Sequence, residues 1–307
     1  MEEKIGKVIL DTTCYPGKDL YSDGAIEDEM LAISRDFAPE EFNRVISERK
    51  SWPILYHFSP DRQNVVRFLP VQKTDSVLEI GSGMGAITKA LCEKAKSVTC
   101  VDLSLQRCKV NALRNQSQEN LEVIVANINA IPFRKKFDWV TLVGVLEYSG
   151  CYTNGENPYL DFLKKALSLV RVGGHLVIAI ENRLGLKYWA GCTEDHVGKY
   201  FEGLENYPDT RSVRTFSRKE LSDIIDQAGE FKTTFYYPYP DYKFPMTIYS
   251  DKRLPKKGEL RDNFCNFDRN RIQLFNEGKV YDSLTDAGLF QEFSNSFLVI
   301  VERKENK

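Results

Sequence analysis

Three glycines at alternate positions, Gly81, Gly83 and Gly85, follow an apolar run that carries one acid, Glu79. Glycine adopts positive φ without strain and lets a ligand approach bare backbone. The first turn of a following helix offers N–H groups that no carbonyl answers. A second acid, Asp102, closes the next apolar run. It stands about twenty residues on, where a carboxylate can receive both hydroxyls of a ribose. This pattern suits a nucleotide-bearing cofactor at the carboxyl edge of a parallel sheet. Residues that could handle protons stand further along. Glu147 and Tyr148 follow one β-rich run, and Glu181 and Asn182 follow another. Glu194 and Asp195 place acids beside His196, an arrangement that can tune an imidazole near neutral pH.

The elements that must position these residues are legible as patterns. From about Ser76 to Ile180, short β-rich runs alternate with helical periodicity, the signature of a parallel α/β sheet. Strands are expected at 77–80, 98–101, 121–125, 137–143 and 175–180, several of them apolar on both faces, as helix-covered strands are. Asn157 and Pro158 supply a cap and a first helical residue, with Gly173 and Gly174 as the stop. Ser217 to Glu220 reads as a capping box, and Gly229 ends that helix. Another helix is expected over 61–69, and further strands at 231–237 and 297–301. About sixty residues separate those two strands, too many for a structureless loop, so they are read as an inserted cap. The expected organisation is an N-terminal lid or extension over 1–70 and a core over 71–303. Insertions at 182–216 and 238–290 would form a substrate cap.

The glycine turn admits two cofactors. Gly81-x-Gly83-x-x-Ala86 with Asp102 also satisfies the dinucleotide fingerprint, so an NAD(P)-dependent oxidoreductase or epimerase is the alternative reading. Three details favour S-adenosylmethionine (SAM). Glu79 precedes the first glycine by two residues, Gly85 completes a Glu-x-Gly-x-Gly-x-Gly spacing, and two β runs replace a second βαβαβ half. In LEIGSGMG, VTCVDLS, FDWVTLVGVLEY and LVRVGGHLVIAIEN, the stretch from Val77 to Ile180 resembles the class I SAM-dependent methyltransferases. The resemblance implies an α/β, Rossmann-like sheet of seven strands in order 3-2-1-4-5-7-6, the last strand antiparallel, with helices on both faces. It also implies that Gly81, Gly83 and Gly85 lie against the methionine part of the cofactor, with Glu79 organising that end. Asp102 and Leu103 would meet the ribose, and Asn127 and Ile128 the adenine. Family members often carry Asp where this chain has Asn127, a side chain that both donates and accepts. Segments such as WPILYHFSP and FYYPYPDYKFP are similar to those of bacterial methyltransferases from cell-surface polysaccharide clusters.

Methyl transfer needs alignment above all, and a hydroxyl acceptor also profits from a general base. The catalytic candidates are therefore Glu147, to orient or deprotonate an acceptor, Tyr148, to stack on it, and His196, as a base or substrate contact. Adjacent residues rarely converge on one ion, so Glu194, Asp195 and His196 are not expected to hold a metal. His57 and His175 are read as structural. Seven aromatics between Phe235 and Tyr249 are read as a packed cap, and Lys252, Arg253, Lys256 and Lys257 as a solvated face.

Composition narrows the partners. The 307 residues include 42 basic and 44 acidic side chains, a net charge of -2, which argues against nucleic acid. The segment after 137–143 lacks the Asn/Asp-Pro-Pro-aromatic turn of enzymes that methylate exocyclic amines of DNA bases. No Pro-Cys nucleophile and no paired-glutamate loop of arginine methyltransferases is found either. Seven cysteines without a Cys-x-x-Cys pair suggest reduced thiols. With no signal-peptide pattern and no run long enough to cross a bilayer, a cytoplasmic protein is expected. Its expected acceptor is a small molecule or carbohydrate. A non-catalytic binding protein on the same fold is a third reading.

Overall fold

The computed structural model describes residues 1–261 and 271–304; Cys265 lies outside the described residues. The chain divides into two compact units, 1–143 with 168–174, and 144–167 with 175–307.

The first unit holds strands β1 (Glu2–Ile5), β2 (Val8–Asp11), β3 (Ser76–Ile80), β4 (Ser97–Asp102), β5 (Leu121–Val125) and β6 (Phe137–Val143). Its strand order is β1-β2-β5-β4-β3-β6. β3 lies between β4 and β6, and β4 beside β5, all parallel. β2 adds to β5 in parallel, and β1 folds back on β2 as an antiparallel hairpin. The apolar character of β3 to β5 on both faces is explained by burial: Val77, Leu78, Val98, Cys100, Val123 and Val125 are all buried.

Four helices of this unit bear on the glycine turn: α1 (Ile26–Asp36), α2 (Phe42–Arg49), α3 (Trp52–Phe58) and α4 (Leu105–Arg114). The apolar stripe Met30 and Ile33 of α1 packs with Phe42 and Val45 of α2, Ile54 and Phe58 of α3, and Val110 of α4. Met84, from the middle of the glycine turn, sits in the same cluster. Over the expected helix 61–69 the chain instead forms a 3₁₀ turn, Pro60–Gln63, and one α-turn, Asn64–Arg67.

The second unit holds β8 (Lys232–Tyr239), β9 (Thr247–Ser250) and β10 (Ser296–Glu302), together with the later part of β7 (Val170–Glu181). The order is β7-β10-β8-β9, every pair antiparallel. Helices α5 (Pro158–Ser168), α6 (Arg218–Ala228) and α7 (Glu277–Asp286) belong to it. The capping box forms as expected, Ser217 accepting from the Glu220 N–H while the Glu220 carboxylate receives the Ser217 N–H. Gly229 ends α6 with φ 149. α5 stops at Ser168, earlier than the glycine pair suggested, because Gly173 and Gly174 lie inside β7.

The described residues thus contain ten strands where seven were expected. The orders β5-β4-β3-β6 and β7-β10-β8 reproduce the two parts of the implied topology, with β10 antiparallel to both neighbours. The additions are the hairpin β1–β2 and the edge strand β9. Among the described residues no helix is long and apolar enough to cross a membrane.

The aromatics between Phe235 and Tyr249 form core. Phe235, Tyr237, Tyr239, Tyr242 and Tyr249 are buried, and Tyr237 meets Phe290 and Phe297 edge to face. Arg253 and Lys257 pair with Glu259 and Asp286 on the exposed face.

Candidate functional site

In the first unit, Gly81, Gly83 and Gly85 take φ of 69, 51 and 74, the left-handed region that a side chain disfavours. At Gly85 a Cβ would also stand 2.2 Å from Asn111 Oδ1 of α4, so only glycine fits. The turn is held by Asp102: the Gly83 N–H donates to its Oδ2 at 2.8 Å, and the Ser104 N–H to its Oδ1 at 3.1 Å. Arg114 donates to the carbonyls of Met84 and His57, tying the turn to α3.

Glu79 is buried behind the turn, accepting from Thr88 Oγ1 at 2.7 Å and from Cys100 Sγ at 3.3 Å. Burial pushes its carboxyl up to about 7, against the pull of those donors. The unfolded chain loses this proton near the ordinary 4.5, whereas the folded chain keeps it to about 7. The resulting stability is complete below pH 4.5 and is lost as pH rises to 7. Glu79→Gln should therefore flatten the fall in unfolding free energy, about 3 kcal/mol in scale, seen by urea titration between pH 4.5 and 7. A parallel fall in the variant would remove Glu79 as its source.

Asn127 caps the 3₁₀ turn Ile128–Ala130, its side chain accepting from the Asn129 N–H at 2.9 Å. The Ala126 N–H donates to the Asp102 carbonyl at 2.9 Å, which sets Asn127 and buried Ile128 one step from the acid and its neighbour Leu103. Sequence reasoning missed a strap from the N-terminal segment. Asp19 accepts from Ser104 Oγ and from the Leu105 N–H, capping α4. Asp23 pairs with Arg107 at 2.7 Å and lies 3.5 Å from His57. His57 is buried, and burial holds its imidazole down to about 4, so it is a neutral packing residue at neutral pH.

The second unit gathers Glu147, Glu181 and His196 from widely separated positions. Glu147 sits in the 3₁₀ turn Leu146–Tyr148, Glu181 ends β7, and His196 lies in the loop that follows; all three are almost fully inaccessible. His196 Nε2 is 3.5 Å from Glu147 Oε1 and 3.8 Å from Glu181 Oε2. Its Nδ1 is 2.9 Å from Glu194 Oε1, and the Tyr148 ring stands edge-on to it at 5.3 Å. The three candidates Glu147, Tyr148 and His196 are therefore neighbours, whereas Asp195 turns away to Lys187 and Tyr188. Asn182 is structural, its amide spanning the carbonyls of Glu292 and Ser294.

Burial raises the Glu147 carboxyl above its ordinary range, against the pull of His196. Burial would raise Glu181 too, but Lys243, at 2.7 Å, and His196 outweigh it and hold that carboxylate below its usual value. For His196, burial opposes the charged ring, and Glu147, Glu181 and Glu194 outweigh burial, so it stays charged well above the ordinary imidazole range. Lys187 bridges Asp195 at 2.6 Å and Asp241 at 2.8 Å. Neither lysine was singled out by the sequence. No local spacing connects 187, 241 and 243 to Glu147.

Residues 78–178 match the family described as "Methyltransferase domain". Over that third of its length the chain resembles the class I SAM-dependent methyltransferase domains. Ribosomal RNA small subunit methyltransferase A of Desulfitobacterium hafniense is 41% identical over 93 residues, 30% of this chain and 32% of that protein. The chain thus spans under a third of the length of the first curated relatives it matches. Among solved structures, the methyltransferase bound to the Trm112 activator of Haloferax volcanii superposes with a TM-score of 0.51 at 16% identity, covering 92% of this chain and 99% of that one. Phosphoethanolamine N-methyltransferase 1 of Haemonchus contortus, solved with phosphoethanolamine and S-adenosylhomocysteine, gives 0.50 at 12% identity, covering 93% of this chain and 50% of that one. The cofactor of the methyltransferase domain is SAM, which decides between the two readings of the glycine turn. The residues present fit it. Besides the glycines, Ser82 Oγ and Arg107 Nε are buried without a hydrogen-bond partner beside the turn.

Proposed function

We propose that the protein methylates an oxygen of a small-molecule or carbohydrate acceptor, and that nucleic acid is not its substrate. The observation that carries this reading is the buried Glu147 carboxyl beside charged His196 and Glu194: in its carboxylate form Glu147 can take up the proton a hydroxyl gives away, while His196 stays protonated and holds it in place. Bound at Gly81, Gly83, Gly85 and Asp102, SAM supplies an electrophilic methyl group. Glu79 would shape that pocket from behind, and Asn127 and Ile128 would read adenine. Glu147 would orient or deprotonate the acceptor and Tyr148 would pack on it. The small acidic excess supports an acceptor that is not a polyanion, although a relative in part of its length methylates ribosomal RNA by name.

Calorimetric titration with S-adenosylhomocysteine, and with NADH in parallel, is the first test. Micromolar binding of the former and none of the latter is expected; NADH binding alone would overturn the cofactor assignment. Labelled SAM with sugar-nucleotide, glycan and RNA acceptors then tests the substrate class, and transfer to RNA alone would remove the proposed acceptor. Glu147→Gln should lower the transfer rate about 10²–10⁴-fold with S-adenosylhomocysteine affinity retained.

A further inference from the structure

Glu147, Glu181 and His196 each offer one ligand atom, and these atoms lie within 4.8 Å of one another. The 3.5 and 3.8 Å separations from His196 Nε2 are long for hydrogen bonds. They are close to the edges of a coordination shell. Donors about 2.0–2.2 Å from zinc at tetrahedral angles stand about 3.3–3.6 Å apart. Two of the three edges are thus already near that length, and the third is within 4.8 Å.

Two further observations point to a ligand. Glu147 Oε2 and both Glu181 oxygens are buried without hydrogen-bond partners; Lys243 offers Glu181 Oε1 an ion-pair contact at 2.7 Å, and Oε2 is turned to His196. The other observation concerns the far side of the imidazole. Glu194 receives Nδ1 of His196, and is itself fixed by the N–H groups of His196 and Val197 and by the Tyr207 hydroxyl. A carboxylate on the outer nitrogen fixes the tautomer and aims the other nitrogen inward, as metal-bound histidines are held. Around the three sit Asp195, Asp241, Lys187 and Lys243, so that five carboxylates with Glu194 face two lysines and one histidine. The enclosure favours an added cation.

We propose that Glu147, Glu181 and His196 bind a first-row divalent cation, with Glu194 as the positioning residue for His196. One imidazole with two carboxylates suits zinc or manganese better than calcium, which takes an all-oxygen shell. The use of the ion, to acidify a bound hydroxyl, rests on the proposed oxygen acceptor. Its binding does not.

Cobalt(II) chloride is the probe, titrated into the chelator-treated full chain and followed by visible absorption. One saturable equivalent is expected, with ligand-field bands that zinc chloride abolishes by displacement; manganese chloride in equilibrium dialysis reports the second ion. Glu194→Gln, which leaves all three ligands in place, should weaken cobalt binding about 10–100-fold, and Glu147→Gln should weaken it at least as much. Circular dichroism checks that both variants fold. Absence of saturable binding to the wild-type chain, or binding unchanged in a folded Glu147→Gln variant, overturns the site. Methyl transfer that persists in a chain binding no cobalt removes the ion and leaves the proposed function standing. Cobalt binding without transfer to any hydroxyl acceptor upholds the site and removes that function.

Discussion

Replacing Asp102 by alanine should raise the dissociation constant for S-adenosylhomocysteine about 100-fold or more. Two hydrogen bonds from ribose hydroxyls to a carboxylate contribute about 1.5–3 kcal/mol each, and about 1.4 kcal/mol is a factor of ten. A second effect has the same sign. Asp102 Oδ2 receives the Gly83 N–H, so its loss leaves the glycine turn without that anchor. Asp102→Asn separates the two contributions. The amide oxygen can still receive Gly83, while the charge that strengthens the ribose contacts is gone, so an intermediate loss of about tenfold is expected. Calorimetry on both variants reads the difference. Affinity unchanged in Asp102→Ala would show that ribose is held elsewhere.

Lys187→Met is expected to be the most destabilising single change in the second unit, at about 3–5 kcal/mol, because it leaves buried carboxylates without their shared partner. Lys187 reaches Asp195 at 2.6 Å and Asp241 at 2.8 Å, and is almost fully buried. Burial works against its ammonium, and the two aspartates outweigh burial and hold the charge. A melting temperature lower by roughly 10 °C should follow. The double variant Lys187→Met with Asp241→Asn should lose less than the two single changes together, since one orphaned charge goes with its partner. Strict additivity in thermal melts would mean that the pair does not interact.

The parts of the fold legible in the sequence are those where local chemistry and global position agree. β3 to β6 announce themselves by apolar residues on both faces, and Ser217 with Glu220 can do little except start a helix. The hairpin β1–β2 escapes because Glu2, Glu3 and Lys4 are exposed, so neither periodicity nor burial marks β1. Gly173 and Gly174 mislead for a different reason: a glycine pair after an amphipathic stretch reads as a helix stop, yet Gly174 lies where a Cβ would meet the Asp138 carbonyl at 2.7 Å. Close backbone approach within a strand asks for the same residue as a turn. The candidate sites divide similarly. The glycines and Asp102 lie within one strand–turn–helix–strand unit, so spacing reveals them. Glu147, Glu181, His196 and Lys243 meet only through tertiary folding, and their partnership has no linear signature.

β10 has a bearing on how the chain is made. It lies between β7 and β8, antiparallel to both, yet it is translated after both. At about 5–20 residues per second, a ribosome needs roughly 3–12 s to travel from the end of β8 to the end of β10. Throughout that interval, β7 and β8 each present a row of unanswered N–H and C=O groups to solvent or to a chaperone. The aromatic residues Phe235 and Tyr237 of β8 wait with them, since their edge-to-face partner Phe297 belongs to β10. The second unit is therefore completed late, by a strand that enters its middle last, and a nascent chain stalled before Ser296 would leave one edge of β7 and one edge of β8 unpaired.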